Sequence, residues 1–203
     1  GGAPDATVLR DPGSWGSPSL HGETLKALLT LGGFPEPFLE GNERSSRRWR
    51  LARRDLILKE DLRDLTRVRE AALVEHLADL LEERVSGTLS LQSLAEDLQV
   101  AHGTVASWIE ILERLYVVFR VRPHAGSLVR TLRKEGKAYF WDWSEVRNPG
   151  ARFENLVASH LLKYCHWMRD VEGEELDLRY VRDREKHEVD FLLLKERKPW
   201  VLV

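Results

Sequence analysis

The stretch Phe153-Glu154-Asn155-Leu156-Val157, followed downstream by Glu188-Val189-Asp190-Phe191, decides how this chain is read. Asn148-Pro149-Gly150 introduces the first, and apolar residues then recur at helical spacing (Phe153, Leu156, Val157, Leu161, Tyr164), which predicts a helix from about Arg152 to His166 with that stripe facing inward. The segments Leu176 to Arg182, Glu188 to Leu194 and Trp200 to Val203 are rich in β-branched and large apolar residues and are separated by charged turns, so they read as strands. A helix followed by strands of this length is α/β organisation.

Upstream the pattern is helical. Residues Gly1 to Gly16 show no periodicity and read as a loop-like leader, and Ser17-Pro18 starts a helix carrying Leu25, Leu28 and Leu29. That helix ends at Gly32-Gly33-Phe34-Pro35-Glu36-Pro37. An arginine-rich helix runs from Glu43 to about Leu65, anchored by Trp49, Leu56 and Ile57; a further one, from about Val68 to Val85, carries Val68, Ala72, Leu73, Leu77, Leu80 and Leu81. Ser90 caps a short helix with Leu91, Leu94, Ala95 and Leu98 at i, i+3, i+4, i+7, and after the turn Gln99 to His102 a second helix places Val105, Ile109, Leu112 and Tyr116 inward. The extended runs Tyr116 to Val121 and Ala138 to Trp141 follow, so the pair of helices reads as a helix-turn-helix with a wing.

The 203 residues suffice for a sizeable core, and the net charge of −2 argues against a polyanion binder driven by bulk charge. Any nucleic-acid contact must come from a local patch. The single cysteine, Cys165, forms no intramolecular disulfide and favours a reducing, cytoplasmic setting. No apolar run is long enough to span a bilayer, so no membrane partner is expected. The opening Gly1-Gly2 suggests that the chain is a fragment.

Four pieces together resemble one family. They are Gly32-Gly33-Phe34-Pro35-Glu36 with Arg53-Arg54-Asp55, the Leu94 to Leu115 helix pair, Lys137-Ala138-Tyr139-Phe140-Trp141-Asp142, and Phe153 to Val157 with Glu188 to Phe191. In this order they are similar to the C-terminal region of AAA-superfamily ATPases of archaea and bacteria, which end in a domain of unknown function with a restriction-endonuclease-like fold. The resemblance implies ATP and Mg²⁺ as cofactors of an intact parent, and as partners the parent's own ATPase core, homo-oligomer subunits and DNA. Two departures stand out. The phosphate-binding loop Gly-x-x-x-x-Gly-Lys-Ser/Thr occurs nowhere, so this piece alone is not expected to hydrolyse ATP or to need a cofactor. The family usually continues the last strand into Glu-x-Lys, whereas this sequence stops at Trp200-Val201-Leu202-Val203, so the nuclease-like segment is read as incomplete.

The resemblance points to Glu154 and Asp190 as catalytic, metal-holding carboxylates, because metal-dependent phosphodiester cleavage needs acids converging on Mg²⁺ and a lysine to steady the charge. The competing reading is a helix-supporting Glu154 and a strand-end Asp190 paired with Arg179 or Lys163. In the arginine run Arg44, Arg47, Arg48, Arg50, Arg53 and Arg54, the resemblance makes Arg53 and Arg54 nucleotide sensors. Alternatively Arg47 and Arg50 bind nucleic-acid phosphates, or the run is a solvated face paired with Asp55, Asp61 and Asp64. On the second helix of the helix-turn-helix the outward positions are His102, Thr104, Ser107, Trp108 and Glu110. Thr104 and Ser107 are the candidate base-reading residues on a face otherwise poor for DNA; the wing, with Arg120, Arg122, His124, Arg130 and Arg133, is better supplied. Zinc is disfavoured, since His160, Cys165 and His166 do not share a helical face.

The expected architecture is therefore mixed α/β in three parts: a helical lid-like segment at 1–65, a helical and winged-helix segment at 66–127, and an incomplete endonuclease-like segment at 128–203. Its function is expected to be an accessory region that couples ATP-driven motion to DNA binding or processing. The rival is a protein-interaction or oligomerisation module with an inactive nuclease-like fold.

Overall fold

The structure is a computed structural model that describes residues 22–61, 68–124, 136–182, 185 and 187–203. The predicted leader, the Ser17-Pro18 helix start, Asp64, Arg130 and Arg133 lie outside the described residues. The fold is mixed α/β, as the sequence predicts, with helices packed around one five-stranded sheet.

Helix α1 (Gly22–Leu31) ends where Gly32 adopts φ +87°. A side chain there would be strained by the backbone and would also place a Cβ 2.6 Å from Asp142 Oδ1. Helix α2 (Pro35–Glu40) follows with proline at its start, and α3 (Glu43–Asp55) is capped by Asn42, whose Oδ1 accepts from the Arg44 and Ser45 amides. A π-helical turn, Leu56–Asp61, continues it. Helix α4 (Val68–Glu83) buries Ala71, Val74, Leu77, Ala78 and Leu81. That face is rotated from the predicted stripe, and Ala72 points to solvent.

Helices α5 (Leu91–Leu98) and α6 (His102–Arg114) form the predicted pair, joined at Gln99, which is left-handed at φ 55°. Trp108, expected outward, is only 4% exposed beside Val105, Ile109 and Leu112, because the wide indole extends the core stripe by one position. Tyr116, expected inward, is exposed and lies edge-on against Trp141.

Strand β1 (Val118–Pro123) pairs antiparallel with β2 (Lys137–Phe140), in register Val118 to Phe140 and Val121 to Lys137. These strands are not a wing. β1 also runs parallel to β3 (Leu176–Arg182) through Arg122 with Arg179 and Pro123 with Tyr180, so the hairpin is part of the main sheet. The remaining strands, β4 (Glu188–Lys195) and β5 (Lys198–Leu202), add antiparallel, giving the order β2-β1-β3-β4-β5. The expected break between 127 and 128 therefore falls within the connection between two paired strands. Period-2 alternation identifies a strand but not its neighbour, which is why wing and sheet look alike in sequence.

Helix α7 (Pro149–Trp167) covers the sheet, burying Leu156, Leu161, Tyr164 and Cys165. Phe153, expected on the inner stripe, is 49% exposed. Its place is taken by Asn155, fully buried, whose side chain accepts from the Phe140 amide (2.8 Å) and donates to the Phe140 carbonyl (2.7 Å). This pairing satisfies backbone groups of an edge strand that would otherwise be buried without partners.

Candidate carboxylate and lysine site

Lys137 opens β2 and is 1% exposed. Three elements bring acids to it. Its Nζ lies 3.2 Å from Glu154 Oε1, 2.6 Å from Glu188 Oε1 and 3.0 Å from Asp190 Oδ1. Glu188 and Asp190 are two residues apart on β4 and therefore share a face of the sheet. Glu154 comes from the start of α7, which is fixed by Pro149 at its first position and by the Asn148 side chain accepting from the Ala151 amide at 3.0 Å. Tyr139, two residues beyond Lys137, points the same way and donates to Glu154 Oε1 at 2.7 Å. The Tyr180 ring of β3 lies 5.6 Å from the ammonium.

Burial alone would depress the Lys137 pKa. The hydrogen bonds to Glu188 and Asp190 and the charge of Glu154 outweigh it, so the ammonium titrates above the ordinary lysine range. Burial and the bond to Glu154 push the Tyr139 phenol upward, keeping it a donor. An ammonium has three N–H donors, and three carboxylates face it. Arg182 Nε approaches Glu188 at 3.7 Å, so three acids and two bases leave one net negative charge. Asp190 is the most open member, with its side chain 53% exposed, and a cleft of about 460 Å³ lined by Glu82, Glu83, Arg147 and Asn148 reaches Glu154.

The two predicted acids thus converge on one lysine. Asp190 is not paired with either base anticipated for it: Arg179 is bound to Asp177, and Lys163 lines a different cleft. The residues that the sequence reading missed are Lys137 and Glu188. A lysine opening the otherwise apolar run Ala138-Tyr139-Phe140, and an acid two places from Asp190, were the available signals. For Mg²⁺, the donor set is hard oxygen, and the ion is commonly held by one or two carboxylates while keeping water, which suits the remaining oxygens of Glu154 and Asp190. Among the described residues no three acidic, histidine or cysteine groups are arranged to enclose a metal.

Arg44, Arg47 and Arg48 stay exposed, as a solvated face would have them, whereas Arg50, Arg53 and Arg54 are half-buried. Arg50 Nη1 donates to Ser46 Oγ (2.9 Å) and Ser144 Oγ (3.0 Å). Arg53 reaches Glu145 (3.4 Å) and the Tyr116 carbonyl (3.1 Å) and lies 4.6 Å from the Phe34 ring centroid. Arg54 Nη2 pairs with Asp79 at 2.6 Å. Arg53 and Arg54, the expected nucleotide sensors, therefore tie α3 to the body of the chain, while Arg47 stays at the surface beside Glu43. In the helix pair Ser107 is exposed and Thr104 half-buried. Arg120 is held by Glu113 through Nε and Nη2, and half-buried Arg122 sits at the β1–β3 seam. Cys165 is buried, which pushes its thiol up to about 12, and burial depresses both His160 and His166.

A family model described as Domain of unknown function (DUF8612) matches residues 22–146, and one described as Domain of unknown function (DUF4143) matches residues 149–203. The latter domain is often found at the C-termini of AAA-type ATPases. No curated protein and no solved structure matches the chain. No helix among the described residues is long and apolar enough to cross a membrane.

Proposed function

The chain belongs to the DUF8612 family, and we propose, from its DUF4143 segment, that it is an accessory region of an AAA-type ATPase, coupling the motion of that core to nucleic-acid processing at the Lys137 site. One observation carries this reading: Glu154 and Asp190, from a helix and a distant strand, meet at a single buried lysine. Two acids with a lysine match the needs of phosphodiester cleavage. Glu154 and Asp190 would hold a divalent cation, which when bound polarises the phosphate and acidifies water. Lys137 fixes the carboxylates and offsets their repulsion, Tyr139 orients Glu154, and the exposure of Asp190 gives substrate its approach.

The test is Mn²⁺ broadening of the Glu154 and Asp190 carboxylate signals in carbon-13 spectra of this chain, paired with Mg²⁺-dependent cleavage of single- and double-stranded DNA by the ATPase-bearing protein. Site-selective broadening and cleavage, both abolished by Asp190→Asn, are expected. Absence of both broadening and cleavage would remove the proposal.

A second reading is favoured by the saturation of Lys137 by three carboxylates and by the Arg120–Glu113 lock. In it the cluster is a closed structural hub, and the helix pair joins subunits or a client protein. Divalent ions then leave the spectrum unchanged.

A further inference from the structure

Between α3 and the loop before α7 lies a cavity of about 250 Å³ lined by Arg47, Arg50, Leu51, Arg54, Glu145 and Arg147. Arg47, Arg50 and Arg54 are spaced i, i+3, i+7 and so share one helix face. Arg147 arrives from the opposite wall. Four guanidiniums around one small space repel each other unless an anion lies among them. The carboxylates they touch accompany them only in part: Glu43 is 3.5 Å from Arg47, Asp79 is 2.6 Å from Arg54, and Glu82 is 3.7 Å from Arg147. The hydrogen bonds of Arg50 run to two neutral hydroxyls, and the one acid lining the cavity, Glu145, is engaged by Arg53.

Donors remain for a ligand. A guanidinium carries five N–H groups in a planar fork. The bonds of Arg50 leave from Nη1 and those of Arg54 from Nη2, so each retains other N–H groups.

We propose that this cavity is a binding site for a compact polyphosphate chain, such as the phosphate tail of a nucleotide. Paired N–H donors of arginine match phosphate oxygens two at a time. The small extent of this open hollow, about 250 Å³, suits a short, highly charged chain rather than a nucleic-acid strand, which is tracked along an extended groove with aromatic platforms. The site contains none of the residues that contact Lys137; Arg147 alone is shared with the cleft that reaches Glu154.

The experiment is calorimetric titration of the full chain with inorganic tripolyphosphate, ATP and a single-stranded oligonucleotide of about ten nucleotides. The variant is Arg47→Ala with Arg147→Ala, whose side chains are 60% and 81% exposed and whose loss leaves the contacts of Arg50, Arg53 and Arg54 in place. Tripolyphosphate and ATP are expected to bind the parent chain, and at least about tenfold more weakly to the double variant, in line with the loss of charge-assisted hydrogen bonds. Arg114→Ala, an exposed cation at the end of α6, serves as the control and leaves affinity unchanged. Equal affinity in the double variant overturns the proposal, as does binding of the oligonucleotide without binding of tripolyphosphate.

Discussion

Lys137 Nζ and Glu154 Oε1 lie 3.2 Å apart, joining the first residue of β2 to the start of α7. This contact spans the two family segments, and it is made by a lysine that solvent does not reach. Replacing Lys137 by Met leaves Glu154, Glu188 and Asp190 facing one another without their cation. Stability is expected to fall by about 3–5 kcal/mol, read from urea unfolding, with partial recovery on adding Glu188→Gln. Because the lysine pKa is raised in the fold, its contribution is fully present below the ordinary value of 10.5 and is lost as pH climbs through the folded value.

Asn155→Ala removes both bonds to Phe140 and leaves a buried amide and carbonyl on β2 without partners. A loss of about 2–5 kcal/mol is expected from two unsatisfied groups. It will show as a lower denaturation midpoint at unchanged slope, because the surface exposed on unfolding stays the same.

Gly33→Ala would set a Cβ 2.3 Å from Cη2 of Trp143, whose indole is buried and held by its Nε1 donating to the Leu28 carbonyl at 2.8 Å. The ring has to move. A destabilisation of about 1–3 kcal/mol follows from overpacking, accompanied by a shift in tryptophan emission; an unshifted spectrum with unchanged stability would contradict the packing described.

Glu145 is buried beside Asp142, and both effects raise its pKa to about 7, against the pull of Arg53, Arg54 and Arg50. A carboxyl that holds its proton more tightly when folded stabilises the fold below its ordinary value of 4.5, and this stability fades as pH rises through about 7. Over that interval the wild-type chain is expected to lose stability relative to Glu145→Gln, measured as the difference between their unfolding midpoints. His160 and His166, depressed by burial, act in the opposite sense in both proteins and cancel in the comparison.

Much of the fold was legible because burial is periodic. The α5–α6 pair, α7 and the strands β3 to β5 follow from apolar spacing, and Glu154 with Asp190 followed from the motifs around them. Partnership was not legible. Nothing in Val118 to Pro123 says that its neighbour is β3 as well as β2, so the hairpin read as a wing. The charge of Lys137 argued for the surface, and only the convergence of three acids makes its burial tolerable. The arginines of α3 show the same limit: spacing placed them on a helix, but Ser144, Glu145 and Asp79, which engage them, lie 25 to 94 positions away.

The parallel seam between β1 and β3 has a practical corollary. Neither family segment closes its own sheet, since 22–146 holds β1 without β3 and 149–203 holds β3 without β1. Severed between residues 146 and 149, the pieces would act as a complementation pair: each sticky when expressed separately, each regaining order when mixed with the other. A reporter split there would register reassembly of the seam itself.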